Sequence, residues 1–340
     1  MRIDTDAPGQ PAVVARFGWI AAVKLAVTAA LFGLLLARTP ATEVLQRLGT
    51  VSTGTVAAAA ALLLLTILAI SVRWRIVLMQ FGARADALSA MRYTLIGGFF
   101  NQVLPSGMGG DVFRMWYARS FGLSMGRALA SVVVDRMFGL FAISAIVTAG
   151  VPFVLWLRAP VPLVAAAAAA VALLAGGIAL FLALDVLEAP LETLVRRLTR
   201  GRLRFVALRG IAGAAWSARS SRAMLGAWPR NMIAIGISIG CQLMVGFVVF
   251  LLLRDLGQQV ALVTVLFLFP FVQLLSMLPI SFAGWGLREG AMVVAFHLAG
   301  VPAEAALGAS ILFGLCLLAS SLPGAVIWLG QARRPKTKAH

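Results

Sequence analysis

Long apolar segments, each close to the length of a helix that crosses a lipid bilayer, recur along this 340-residue chain. A spanning helix needs about 20 consecutive apolar residues. Hydrophobic residues make up 61% of the sequence and charged residues only 12%, whereas an ordinary soluble domain carries about 25% charged residues. A soluble protein this apolar could not cover its own surface with polar groups. We therefore predict an all-α polytopic membrane protein with about seven to eight transmembrane helices.

The length of each apolar run places the spans along the chain. They are predicted at about 17–37, 55–72, 128–157, 161–184, 231–253, 261–278 and 305–329. The second span ends at Arg73, Trp74 and Arg75, and such a mixture of aromatic and basic residues is typical of the membrane–water interface. We predict one transmembrane domain over residues 17–330, preceded by a short segment, 1–16, and followed by a basic tail, 331–340.

The net charge of +17 favours a membrane protein with basic cytoplasmic loops over a nucleic-acid-binding protein. Residues 186–230 contain nine arginines interleaved with leucine, valine and alanine, a pattern typical of an amphipathic segment on a membrane surface. Arg and Lys accumulate on the cytoplasmic side. We therefore expect this segment and both termini to lie on the cytoplasmic side of a bacterial-type inner membrane. We expect no nucleic-acid partner.

Two apolar stretches end in Pro and Gly, which predicts broken or re-entrant hairpins, and the first of them, 94–104, is too short to span. The stretches resemble each other: in each, a Leu-Pro pair is followed by Gly five residues after the Pro and by Arg nine residues after it. Transporters often contain such internal repeats, with the binding site at the corresponding helix breaks. The residues predicted to break the helices are Pro105, Gly109, Gly110, Pro279, Gly284 and Gly286.

Charged residues lie close to both breaks, within otherwise apolar sequence. A charge at mid-membrane costs about 2.5–3.5 kcal/mol on insertion scales, so such residues are paired, placed in a wet cavity, or located at the interface. Arginine presents a planar fork that suits phosphate. Two interpretations stay open for each charge, an interfacial or structural role and a role in lipid binding. The candidate lipid-binding residues are Asp111, Arg114, Asp135, Arg136, Arg288 and Glu289.

Two motifs carry a resemblance to a known family. The first begins with Asn101-Gln102-x-Leu104-Pro105-x-Gly107-x-Gly109-Gly110-Asp111-x-x-Arg114 and continues with Ser131-x-x-x-Asp135-Arg136-x-x-Gly139-Leu140. The second is Leu278-Pro279-Ile280-Ser281-x-x-Gly284-x-Gly286-x-Arg288-Glu289-Gly290. Together they resemble the lysylphosphatidylglycerol synthase transmembrane region, and the resemblance covers about residues 15–330. That family includes the flippase half of the multiple peptide resistance factor, which moves aminoacylated phosphatidylglycerol between leaflets.

The resemblance implies an integral membrane lipid translocator that moves a phospholipid, glycolipid or other polar lipid. The arginines would take the lipid phosphate, and the carboxylates would hold the arginines or meet a cationic headgroup. Few residues follow Leu329, so we expect no aminoacyl-transferase domain and no enzymatic activity. The alternative is a membrane-embedded enzyme or accessory subunit that binds a lipid-linked intermediate without moving it.

No cofactor or metal is expected from the sequence. Its two cysteines lie in apolar runs, and two histidines cannot build a multi-histidine metal centre. The sequence contains no GxxxxGK[ST] motif, which argues against direct use of ATP. The expected partner is a membrane lipid with an anionic or phosphate-bearing headgroup, and a lipid-biosynthetic enzyme as a protein partner is left open.

Overall fold

The computed structural model describes residues 24–31, 33–35, 37, 41–104, 109–156, 186–198, 228–277 and 284–332, with scattered positions between 164 and 219. Regular structure in these ranges is helical throughout, which confirms the predicted fold class. The helices are α1 (Ala41–Thr50), α2 (Thr53–Gln80), α3 (Ala87–Val103), α4 (Gly109–Ala118), α5 (Met125–Trp156), α6 (Glu188–Leu198), α7 (Trp228–Asp255), α8 (Leu262–Ser276), α9 (Leu287–His297) and α10 (Ala303–Ala332).

Four of these helices, α2, α5, α7 and α10, are long and apolar enough to cross a membrane. Two shorter apolar helices, Lys24–Leu35 and α8, accompany them within the described ranges. Part of the predicted span at 17–37 and most of the predicted span at 161–184 lie outside the described residues, as do Pro105, Pro279 and most of 186–230 and 331–340. The predicted span at 261–278 is the 15-residue helix α8. At 1.5 Å per residue α8 is about 22 Å long, shorter than the hydrocarbon core of about 30 Å.

The helix that contains the second predicted span extends beyond residue 72. Helix α2 continues to Gln80, because the apolar residues that follow Arg75 extend its buried face. Trp74 is fully buried and Arg73 is only 6% exposed, so both side chains face the interior of the protein. Arg73 is accommodated because its charge is paired within the bundle.

The first predicted break joins two short helices, α3 and α4, that pack directly against each other. A Cβ atom at Gly110 would overlap the carbonyl oxygen of Gly97, so the two backbones are in contact where the helices cross. The backbone N–H of Gly110 also donates to Oδ1 of Asn101 at 2.9 Å. Glycine is therefore required at Gly110 by close approach of the chain, and the amide of Asn101 satisfies one free N–H at the start of α4.

The second predicted break separates α8 from α9, which also pack against each other. Gly284 and Gly286 both have positive φ angles, +81° and +83°, a conformation that residues with a Cβ rarely adopt. These two glycines turn the chain into the first residue of α9. Both halves of the chain thus combine a glycine-dependent hairpin with a long helix that follows it, α5 in the first half and α10 in the second.

The two hairpins are held in a bundle of the long helices. Helix α2 packs against α7, and α3 packs against α10. One apolar core is built from α2, α5 and α7–α10, and a second lies between the C-terminal part of α2 and α3–α5. This arrangement brings both hairpins to the same central region of the protein.

We predict that Gly110→Ala destabilises the protein while Gly240→Ala does not. The new methyl group at Gly110 has no space beside Gly97, and overpacking of this kind costs about 1–3 kcal/mol. Gly240 lies within α7 and has open space where a Cβ would stand, so alanine there should leave the melting temperature in detergent unchanged or slightly higher. Equal melting temperatures for the two variants would contradict the close crossing of α3 and α4.

Candidate functional site

A cavity of about 400 Å³ lies between the two hairpins, a volume typical of a site for one small molecule or headgroup. Its wall includes residues of α2, α3, α5, α7, α8 and α10 together with the connection between α8 and α9. Much of the wall is apolar. The polar and charged residues that line it are Thr66, Arg73, Asn101, Gln102, Arg136, Ser238, Gln242, Gln273, Ser276, Arg288 and Ser321.

A buried network of charges joins α2, α4 and α5 on one side of the cavity. Asp135 is 1% exposed, and each of its oxygens accepts a hydrogen bond at 2.7 Å, Oδ1 from Arg73 Nε and Oδ2 from Arg114 Nη2. Arg73 also donates from Nη1 to the Ser238 hydroxyl on α7 at 2.7 Å. Because charge-assisted bonds this short are among the strongest in proteins, Asp135 fixes three helices relative to one another.

Asp111, on the first turn of α4, extends this network toward the cavity. Its two oxygens accept from Nε and Nη2 of Arg136 at 2.8 and 3.0 Å, and Oδ1 also lies 3.5 Å from Arg114 Nη1. The side chain of Arg136 is 43% exposed and lines the cavity. Asp111 therefore orients the Arg136 guanidinium through a bidentate contact while leaving that group accessible.

The second hairpin contains a smaller network around Glu289, which is fully buried. Its Oε1 accepts from Arg288 Nη2 at 2.6 Å and from the Ser310 hydroxyl at 3.1 Å. Its Oε2 accepts from the backbone N–H of Gly286 at 2.6 Å. Glu289 therefore caps the start of α9, since that N–H would otherwise lack a partner, and it positions Arg288 at the cavity wall.

Each hairpin arginine also lies over an aromatic ring. The guanidinium carbon of Arg114 is 4.5 Å from the centre of the Trp74 ring, and that of Arg288 is 4.7 Å from the Trp285 ring. Cation–π contacts of this length stabilise a charge that is withdrawn from water. Trp285 thus lies against the charge that its own hairpin carries.

The two networks occupy corresponding positions in the two halves of the chain. Arg114 bonds to Asp135, 21 residues further on in α5, and Arg288 bonds to Ser310, 22 residues further on in α10. In the second half the carboxylate comes from Glu289, next to the arginine, instead of from the long helix. The internal repeat seen in the sequence therefore corresponds to a repeated contact between a hairpin arginine and the following long helix.

The predicted site residues divide into two groups. Arg136, Arg288 and Gly284 line the cavity. The other four charged residues do not line the cavity. The three carboxylates form ion pairs with arginines, and the arginine among the four pairs with two of these carboxylates; the four residues are Asp111, Arg114, Asp135 and Glu289. Their role in lipid binding stays a prediction.

Sequence reasoning missed Arg73, which both lines the cavity and pairs with Asp135. The signal that could have identified Arg73 is the apolar sequence after Arg75, because it continues α2 and places Arg73 inside one long helix.

The ion-paired residues around the cavity carry one positive charge in excess, because four arginines meet three carboxylates. These residues are Arg73, Arg114, Arg136 and Arg288, with Asp111, Asp135 and Glu289. Within an apolar bundle an excess charge is weakly screened. The arrangement therefore favours an anionic group in the cavity.

We predict that Asp135→Asn lowers stability far more than Glu192→Gln. Removing one partner of a buried ion pair costs about 3–5 kcal/mol, because the remaining charges are left without compensation. Glu192 pairs with Arg196 at 3.5 Å on an exposed surface, where such pairs contribute about 0–1 kcal/mol. Melting temperatures in detergent would show the difference. A similar melting temperature for both variants would mean that Asp135 does not hold the helices together.

A comparison with known protein families gives a match. The family described as Lysylphosphatidylglycerol synthase TM region matches residues 21–324, which confirms the resemblance carried by the two motifs. A comparison with curated proteins gives no match. With its membrane-spanning helices, the chain is a multi-pass membrane protein of lipid metabolism or transport, and it belongs to the lysylphosphatidylglycerol synthase transmembrane region family.

Proposed function

We propose that this protein moves a polar lipid between the leaflets of a bacterial-type inner membrane, with the lipid phosphate bound between Arg136 and Arg288. The observation that carries the proposal is the cavity itself. It lies inside an apolar bundle, an arginine from each half of the chain lines it, and each of these arginines is held by a carboxylate, Arg136 by the partly buried Asp111 and Arg288 by the fully buried Glu289. Such a site suits an anionic headgroup whose acyl chains stay in the bilayer.

The hydrogen bonds of the two arginines support phosphate binding. In both residues Nε and Nη2 face a carboxylate, and Nη1 makes no hydrogen bond within the described part of the chain. A guanidinium has five N–H groups, so each arginine retains donors for a second anion. Phosphate has several acceptor oxygens and can bridge two such groups.

The cavity is also suited to release its ligand. Arg136 and Arg288 are already neutralised in part by Asp111 and Glu289. A bound phosphate therefore interacts with a cluster whose net charge is one positive charge, although the cluster contains four arginines. A transporter must bind its substrate strongly enough to take it up and weakly enough to let it go. Transport would be downhill or coupled to an ion, and we propose that no enzymatic step accompanies it.

We predict that Arg288→Ala slows lipid transfer at least about ten-fold, because charge-assisted hydrogen bonds contribute about 1.5–3 kcal/mol. Arg288→Lys keeps the charge but loses the planar fork, so its rate should lie between those of Arg288→Ala and the wild type. Arg254→Ala is the matched control, since this arginine lies over Phe250 at the end of α7 and does not line the cavity. Transfer would be measured with fluorescent phosphatidylglycerol in proteoliposomes, by bleaching the outer leaflet with dithionite.

The double variant Arg288→Met, Glu289→Gln separates function from folding. It removes both charges of a buried pair, which proteins tolerate far better than the loss of one charge. We expect a melting temperature near that of the wild type together with a loss of transfer. Wild-type transfer by this folded variant would show that the site lies elsewhere. Retained binding of phosphatidylglycerol by a wild-type protein that moves no lipid would favour an accessory or enzymatic role.

A further inference from the structure

A groove on the outer surface of the first hairpin lies apart from the central cavity. It has a partly polar section and an apolar section, which share Trp116 and Tyr117 of α4. The partly polar section has a volume of about 670 Å³, and its remaining wall consists of Tyr93, Arg119, Ser120, Gly122 and Leu123. The apolar section has a volume of about 350 Å³, and its remaining wall consists of Val112 and Phe113. None of these residues lines the central cavity.

The two sections follow one another along α4 in the order of the parts of a membrane lipid. Helix α4 begins at the buried Gly109, at the tip of the hairpin, and ends at Ala118. The partly polar section is beside this end, whereas Val112 lies about 8 Å closer to the tip than Tyr117, at 1.5 Å per residue. A headgroup in the partly polar section would therefore place an acyl chain against the apolar section. Trp116, which borders both, is 66% exposed, and exposed tryptophan is typical of the membrane–water interface.

The outer end of the first hairpin lies at a strongly basic end of the bundle. Gln80 at the end of α2 donates from Nε2 to Oδ1 of Asn231 at the start of α7, at 3.3 Å. Helix α3 begins soon after Gln80, at Ala87, and its Tyr93 stacks on Tyr117 with the ring centres 4.1 Å apart. The described charged residues at this end are Arg75, Arg84, Asp86, Arg92, Arg119, Arg127 and Arg230, and those at the opposite end are Glu43, Arg47, Arg254, Asp255 and Glu304. Because arginines predominate at the first end, an anionic lipid is attracted more strongly to it.

Arg119 is the charged residue of the groove, and it is not neutralised within the described part of the chain. It is exposed and makes no side-chain hydrogen bond or ion pair there, and none of the described residues that line the groove is acidic. The wall beside it is fixed, because the Tyr117 hydroxyl donates to Gln331 Oε1 at 3.4 Å and the Tyr117 ring stacks on Tyr93. The groove therefore suits the phosphate of a lipid with net negative charge, whereas a zwitterionic lipid would also bring its ammonium group close to Arg119.

We propose that this groove binds one phospholipid of net negative charge, with its phosphate at Arg119 and an acyl chain along Val112 and Trp116. Helix α4 connects the groove with the central cavity, because Asp111 on its first turn holds Arg136 at the cavity wall. The groove is therefore an entry site, which takes a lipid from the leaflet at the basic end of the bundle and delivers its headgroup to the cavity. The role as an entry site rests on the proposed function, whereas the binding of the lipid does not.

The binding test follows the fluorescence of Trp116 in nanodiscs. Bromine atoms on an acyl chain quench a tryptophan that they contact, so dibromo-phosphatidylglycerol or dibromo-phosphatidylcholine would be mixed in rising mole fraction with unbrominated phosphatidylcholine. The Trp116 signal is the difference between the wild type and Trp116→Phe. We expect half-maximal quenching at a mole fraction about five-fold lower for the phosphatidylglycerol, a factor typical of one arginine near a membrane surface.

Arg119→Ala should remove this preference, because it removes the charge that faces the phosphate. Arg127→Ala is the matched control, since Arg127 is also exposed at the basic end and unpaired within the described residues but does not line the groove. Neither arginine is buried, so both variants should keep the wild-type melting temperature. Equal quenching by the two lipids in the wild type would indicate ordinary contact with the bilayer and overturn the proposal. Equal loss of the preference in both variants would indicate a general attraction to basic surface and overturn it too.

Transfer of fluorescent phosphatidylglycerol in phosphatidylcholine proteoliposomes tests the role as an entry site. Arg119→Ala should slow transfer about five-fold when the labelled lipid is dilute and should reach the wild-type rate when it is abundant, because the groove affects loading alone. Arg288→Ala should stay slow at every mole fraction. Wild-type transfer by Arg119→Ala at all mole fractions would contradict the entry role. Selective quenching of Trp116 in a wild-type protein that moves no lipid would contradict translocation and leave the binding site standing.

Discussion

The arrangement of the bundle depends on one buried carboxylate, that of Asp135. Its two oxygens receive short hydrogen bonds from Arg73 on α2 and Arg114 on α4, so a charge on α5 sets the position of the first hairpin. Isolated charges in a low-dielectric interior are costly, and the three side chains therefore stay together. The next residue, Arg136, lies about 100° further around the helix. It reaches the cavity and Asp111 instead of the buried network.

In the second half of the chain, different residues neutralise the hairpin arginine. Ser310 occupies the position that corresponds to Asp135 of the first half. The neutralising carboxylate is instead that of Glu289, which is adjacent to Arg288 in the sequence. The first hairpin is therefore joined to its long helix by an ion pair, whereas the second is joined through a hydroxyl group. Each half of the chain still presents an arginine to the shared cavity, Arg136 from α5 and Arg288 from the second hairpin, and this is the feature on which the proposed function depends.

Much of this organisation follows from the sequence, because its signals are local. Apolar length predicts the long helices, and glycines beside prolines predict the breaks. The spacing of arginines after each break predicts that the two halves correspond. The partner of Asp135 was not predictable in this way, since Arg73 lies 62 residues earlier in the chain and follows a typical interfacial pattern. Gln242 and Gln273 gave no signal either, because a single glutamine in an apolar helix becomes informative only once the cavity is known.

The central claim is that a lipid headgroup lies between the two hairpins. An experimental structure of the protein in nanodiscs that contain phosphatidylglycerol would test it most directly. We predict headgroup density in the cavity, with the phosphate within hydrogen-bonding distance of both Arg136 and Arg288 and the acyl chains directed into the bilayer. A cavity that contains only water, with ordered lipids confined to the outer surface of the bundle, would contradict the claim.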